Sequence, residues 1–142
     1  MQNSFPLETL ADTQHLAQIA VTYMPRGTLL ILSGELGSGK TTFTQHLAKA
    51  LGSKVAVTSP TYTLVHEYPT PQGTLIHIDA YRLDSADALF ELGLDDYLER
   101  SRLVVVEWGL SLLESYPDAR HIAFYLKDDK RSASLNFPAL LD

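Results

Sequence analysis

At 142 residues, 45% of them hydrophobic and 20% charged, the chain can bury about two-thirds of its unfolded surface, so a single domain over residues 1–142 is expected without a disulfide or metal staple. Its 11 Lys and Arg against 17 Asp and Glu leave a formal net charge of −6, which argues against a self-sufficient nucleic-acid binder, because neutralising phosphates normally takes a basic face. There is no cysteine, so nothing suggests a thiol nucleophile; Met1 to Gln18 lacks a basic region followed by an apolar core, no apolar stretch reaches the length of a membrane span, and a cytoplasmic protein without membrane association is expected.

In chain order, Asp12 to Tyr23 places Leu16, Ile19, Ala20 and Tyr23 on one helical face, and Pro25-Arg26-Gly27 ends that helix. Thr28 to Ser33 is an apolar run that reads as a buried strand. It feeds Gly34-Glu35-Leu36-Gly37-Ser38-Gly39-Lys40-Thr41, followed by Thr42, and Thr42 to Leu51 reads as a helix closed by Gly52. This is a complete phosphate-binding loop in the required strand–loop–helix context, a pattern that a chain of this length meets by accident less than about 1% of the time. Its glycines permit a tight turn and close backbone approach, and N–H groups at the helix start cradle phosphate oxygens. Lys40 then reaches the outer phosphates, and the Thr41 hydroxyl suits magnesium, which prefers oxygen ligands.

Beyond the helix, Val55 to Val57 is a short apolar run, Tyr62 to Tyr68 a mixed strand, and Gln72-Gly73 a turn into the strand Thr74 to Asp79. Ser59-Pro60-Thr61-Tyr62-Thr63 has the makings of a nucleotide-sensing switch, with Thr61 as the residue to touch magnesium or the terminal phosphate; a plain loop-to-strand junction explains it almost as well. Ser85 to Leu92 is a short helix capped by Asp84 or Ser85 and stopped at Gly93, and Asp95 to Arg100 is a further helical turn. Leu103 to Glu107 opens with four apolar residues, the mark of a central strand covered on both faces. His121 to Leu126 and Ala133 to Phe137 read as an antiparallel hairpin at the sheet edge, with Lys127, Asp128, Asp129, Lys130 and Arg131 as its solvated turn. The expected fold is α/β, a P-loop NTPase-like three-layer sandwich with a central mixed sheet.

Ligands of open α/β sheets lie beyond the carboxyl ends of the strands, which singles out Asp79 and Glu107. Either carboxylate can hold magnesium or polarise an attacking water; the competing reading is a loop cap or a pair with Arg82 or Arg102. His77 shares the face of Asp79 by strand alternation and is placed to orient that carboxylate or simply to pack in the core. His15, His46, His66 and His121 have no zinc-like spacing, and Trp108 is either core or nucleotide-adjacent. Neither asparagine, Asn3 or Asn136, begins the Asn-Lys-x-Asp segment of guanine-specific proteins, so ATP is the expected nucleotide. For an arginine that stabilises transition-state charge, Arg82, Arg100, Arg102, Arg120 and Arg131 are all candidates.

Together, the loop Gly34 to Thr42, Ser59-Pro60-Thr61-Tyr62-Thr63, His77-x-Asp79-x-Tyr81-Arg82 and Glu107-Trp108 resemble the bacterial TsaE (YjeE) family, over nearly the whole chain and with no departure within the motifs. The resemblance implies a magnesium-dependent ATPase, slow on its own, that serves the formation of N6-threonylcarbamoyladenosine in tRNA beside the TsaD–TsaB pair, with tRNA held by the partners. It assigns Gly34, Glu35, Leu36, Gly37, Ser38, Gly39, Lys40, Thr41, Thr42 and Thr61 to ATP, Thr41, Asp79 and Glu107 to Mg2+, Asp79 and Glu107 to catalysis, and Thr9 to Thr13 to the neighbourhood of adenine. A small-molecule kinase using Ser85 to Arg100 as a cover, and a non-catalytic nucleotide-dependent scaffold, remain as alternatives.

Overall fold

A computed structural model of the chain describes residues 4–54, 65–80 and 86–136. Its strands are β1 (Ser4–Pro6), β2 (Thr28–Ser33), β3 (Val65–Tyr68), β4 (Leu75–Asp79), β5 (Leu103–Glu107), β6 (Arg120–Lys127) and β7 (Lys130–Asn136), and its helices are α1 (Leu10–Tyr23), α2 (Lys40–Ala50), α3 (Ala86–Glu91) and α4 (Leu94–Arg100). A short 3₁₀ turn, Leu110–Leu113, follows β5.

The strands join in one seven-stranded sheet in the order β1-β7-β6-β2-β5-β4-β3. The four inner strands, β6, β2, β5 and β4, run parallel, and antiparallel pairs close both edges. Strand alternation divides the core. Leu30, Leu32, Leu103, Val105, Ile122 and Phe124 face α1 and α2, whereas Leu29, Ile31, Val104, Val106, Ile76 and Ile78 face α3, α4 and the 3₁₀ turn. The result is the expected three-layer α/β sandwich around a mixed sheet.

Three details differ from expectation. The β6–β7 hairpin is not at the edge: β6 pairs parallel with β2, and β1 covers β7 through Ser4 to Pro6. A three-residue strand containing proline carries no periodic signal, so only its long-range pairing reveals it. Helix α1 begins at Leu10 because Thr9 and Asp12 form a reciprocal cap, with Asp12 N donating to Thr9 Oγ1 at 3.2 Å and Thr9 N donating to Asp12 Oδ2 at 3.0 Å. Helix α2 starts at Lys40 rather than Thr42, which puts the loop lysine in the first helical turn. The Val55 to Val57 run, Thr61 with the rest of the Ser59 to Thr63 segment, the Asp84 or Ser85 cap, and Arg82 lie outside the described residues.

At the end of β2 the Ser33 hydroxyl meets His121 Nε2 of β6 at 2.7 Å, and burial holds the His121 imidazole below its ordinary value of 6.5. The unfolded chain therefore takes up a proton at this ring before the folded chain does. The associated stability is present above the ordinary value and is lost as pH falls through the folded one. We expect His121→Gln, which keeps a hydrogen-bonding group toward Ser33, to lose less melting temperature than the wild type between pH 7 and pH 5. Parallel pH–melting curves for the two proteins would refute the assignment.

Candidate functional site

The parallel register positions the site. Leu32 of β2 stands beside Glu107 of β5, and Glu107 stands beside Asp79 of β4, so both carboxylates lie level with the residues that lead into the glycine loop. A cleft of about 560 Å³ opens there, within the usual size for a small-ligand site. Gly37, Gly39, Lys40, Thr41 and Thr42 line it from the loop and helix start, Asp79, Glu107 and Trp108 from the strand ends, and Leu7 to Leu10 with Thr13 from the turn into α1 and its first turn. Leu36 extends over it with 90% of its surface exposed.

Not every residue of the loop touches this cleft. Gly34 and Glu35 line a separate groove beside β6, and Ser38 is fully buried, with no hydrogen-bond partner for its Oγ among the described residues. Gly34 acts instead through its carbonyl, which accepts from Lys40 Nζ at 2.6 Å. Lys40 is only 6% exposed, and its ammonium also sits 4.2 Å from the centre of the Trp108 ring. Burial pulls the Lys40 pKa below the ordinary lysine value, while Glu107 and then Asp79 oppose that shift by attraction. A buried cation is thus poised between a carbonyl, an aromatic face and two carboxylates.

Glu107 is 6% exposed, and its Oε2 lies 2.6 Å from His77 Nε2. Here the sequence reading is corrected: His77 bonds Glu107 and not Asp79. Side chains two apart on a strand share a face but stand too far apart to bond readily, whereas the neighbouring parallel strand brings Glu107 within reach. Arg102 pairs with neither carboxylate. It donates to the Pro25 and Val21 carbonyls at the end of α1, near the opposite end of the sheet. Trp108 proves to be an element of the cleft rather than of the core, 45% exposed and with a positive φ of 63° that few bulky residues adopt.

The sequence offers Arg131 both as one of five candidate arginines and as part of the solvated turn, and the structure separates those readings. Lys127, Asp128, Asp129 and Lys130 are solvated as expected, but Arg131 leans back over the loop, lines the cleft and donates from Nε to the Gly37 carbonyl at 3.1 Å. No local pattern marks it, because the contact depends on β7 returning beside β6 94 residues after Gly37. Of the other candidate arginines within the described residues, Arg100 pairs with Glu67 and Asp96, and Arg120 donates to the Asp118 carbonyl; neither lines the cleft.

The donor set also bears on what the cleft can hold. A hydroxyl and two carboxylates, from Thr41, Asp79 and Glu107, make an all-oxygen group of the kind that suits a small hard cation. The first turn of α2 meets the same space with backbone N–H groups that have no intrahelical acceptor, which suits an anion. Among the described residues no helix is long and apolar enough to cross a membrane.

A family model described as "Threonylcarbamoyl adenosine biosynthesis protein TsaE" matches residues 7–134. Relatives carrying the name tRNA threonylcarbamoyladenosine biosynthesis protein TsaE include one from Bacillus subtilis, 38% identical over 109 residues, covering 77% of this chain and 68% of the relative. Another, from Rickettsia bellii, is 32% identical over 133 residues and covers 91% of both, and one from Aquifex aeolicus is 43% identical over 104 residues, 72% of this chain and 73% of its own. The crystal structure of YdiB from Bacillus subtilis is similar with a TM-score of 0.73 at 30% identity, over 95% of this chain and 84% of that one.

The loop glycines differ in what they must avoid. Gly34 has φ 140°, and a Cβ there would stand 2.5 Å from the Phe124 carbonyl oxygen and 2.8 Å from Ser38 Oγ; at Gly37, with φ 81°, a Cβ meets nothing within 4 Å. Gly37→Ala therefore carries backbone strain alone, about 1–2 kcal/mol, and Gly34→Ala should cost distinctly more because backbone must move. Equal losses in chemical denaturation would show that the loop yields to a side chain at Gly34.

Proposed function

The chain belongs to the TsaE family, and on that footing we propose that it is a single-domain, magnesium-dependent ATPase serving N6-threonylcarbamoyladenosine formation in tRNA, acting in the cytoplasm beside the TsaD–TsaB pair. The observation that carries this reading is the convergence, in one cleft, of the helix start of α2, the buried Lys40 ammonium and two strand-end carboxylates. Cation, hydroxyl and carboxylate in that arrangement answer the needs of a bound nucleoside triphosphate. The relatives' names, which speak of tRNA threonylcarbamoyladenosine biosynthesis, supply the pathway.

In this reading the loop from Gly34 to Thr42 binds the phosphates, and Lys40 exchanges the Gly34 carbonyl for a phosphate oxygen. Thr41, Asp79 and Glu107 supply oxygen ligands. Magnesium, when bound, neutralises charge on the phosphates and holds them in line. Asp79 and Glu107 also orient the attacking water, and Thr61 senses the terminal phosphate. The stretch Leu7 to Leu10 with Thr13 is the wall for adenine, since it brings apolar surface and hydroxyls to the lining of the cleft. The net charge of −6 fits a component that leaves the tRNA to its partners.

Nucleotide titration and phosphate release test the site. Lys40→Ala should weaken ATP binding or turnover about ten- to a hundredfold, since a charge-assisted contact is worth roughly 1.5–3 kcal/mol. Asp79→Ala and Glu107→Ala, if folded by thermal melts, should reduce hydrolysis more than binding. Unchanged affinity and turnover in the lysine variant would sink the assignment, and phosphate appearing on a metabolite instead of in solution would turn it into a kinase.

Partners complete the second test. Hydrolysis by the isolated chain is expected to be slow and to rise more than additively with TsaD–TsaB, because loop NTPases gain orders of magnitude when a partner completes the site. Multiple-turnover modification of tRNA should require this chain, while free tRNA should bind it weakly at physiological salt. Simple additivity of the separate phosphate-release rates would remove the partner from the catalytic role, and tight binding in a gel shift with the isolated chain would overturn the division of labour.

A further inference from the structure

A carboxylate as buried as Glu107 needs a hydrogen-bond donor, and His77 supplies it from Nε2 at 2.6 Å. His77 is itself fully buried in the middle of β4. Asp79 and Glu107 are side by side in the register and His77 sits opposite Val105, so Glu107 meets the imidazole diagonally, back along the sheet and away from the strand end. The contact joins a residue of the cleft to one that has no access to it.

The short contact decides the direction of the hydrogen bond. Among the described residues, His77 Nδ1 is buried and has no hydrogen-bond partner. The Nδ1–H tautomer would leave lone pairs facing each other at 2.6 Å, whereas a hydrogen on Nε2 satisfies the short contact. His77 then donates from Nε2 to Glu107 Oε2.

We propose that His77 is a positioning residue: its Nε2–H grips one oxygen of Glu107, fixing the plane of that carboxylate, and leaves the other oxygen to the cleft. This rests on the reading of Glu107 as a group that acts on the water or cation of ATP hydrolysis. A flexible glutamate would have to be ordered anew at each turnover, whereas one held from behind is set in advance. Partners that orient a catalytic or metal-binding group typically matter about ten- to a hundredfold.

Three variants and one spectrum test it. His77→Leu keeps bulk but removes the donor; the expected result is hydrolysis reduced about ten- to a hundredfold, with ATP affinity in the absence of magnesium changed less than about threefold. His77→Gln, whose amide nitrogen can take the place of Nε2, should recover most of the loss. Adding His77→Leu to Glu107→Ala should change single-turnover hydrolysis no further, because the histidine acts only through the glutamate. In the ligand-free protein, 15N shifts of His77 should report a hydrogen on Nε2 at neutral pH.

An Nδ1–H tautomer would overturn the proposal whatever the activity, and this measurement stands even if the leucine variant does not fold. Full hydrolysis by a folded His77→Leu, failure of glutamine to rescue, or an undiminished histidine effect in the Glu107→Ala background would do the same while leaving the ATPase reading intact. If the unaltered chain neither binds nor hydrolyses ATP, the ATPase reading fails first, and the role of His77 falls with it.

Discussion

The site depends on one register, the parallel alignment of β2, β5 and β4. Because Leu32, Glu107 and Asp79 lie on one line across three strands, the glycine loop and both carboxylates leave the sheet at the same level. Two hydrophobic faces hold that line in place. Each strand buries alternate residues on α1 and α2 and on the opposite layer, so a slip by one residue would exchange the two faces and send Glu107 out of the cleft. Apolar packing thus sets the relative position of groups that are themselves polar.

Those polar groups form a closed balance around Lys40. The ammonium is largely removed from water, which disfavours its charge, and the nearby Glu107 and Asp79 oppose that effect in part. The Gly34 carbonyl accepts from it, and the Trp108 ring lies beside it. A triphosphate entering this space brings negative charge toward two carboxylates as well as toward the lysine, so the attraction of Lys40 and of the α2 helix start has to outweigh that repulsion. In the proposed reading, a divalent cation bound with the nucleotide would relieve that repulsion.

Around this centre the chain gathers groups from distant positions. The turn ahead of α1 contributes Leu7 to Leu10, and β7 contributes Arg131, whose guanidinium holds the Gly37 carbonyl. Both depend on the same sheet edge. β1 pairs with β7, and the Leu7 N–H donates to the Arg131 carbonyl at 2.9 Å, which ties the start of the chain to the strand that carries the arginine. The outer rim of the cleft is therefore built by the antiparallel edge and its inner wall by the parallel centre.

Much of this was legible in the residues. The β2 run, the loop, the helix after it, the wholly buried β5 and the strand-end carboxylates all appear as local patterns: a period, a glycine spacing, a polar residue closing an apolar run. Such features are legible because their cause lies within a few residues. β1, the inward lean of Arg131, the exposure of Trp108 and the choice of His77 for Glu107 over Asp79 were not, since each is a contact between segments far apart in the chain. The sequence by itself determined which chemical groups were present and which strand ends could carry them. Tertiary structure alone decided which groups touch, because strand register and edge pairing arise from the burial of whole faces and leave no mark at any single position.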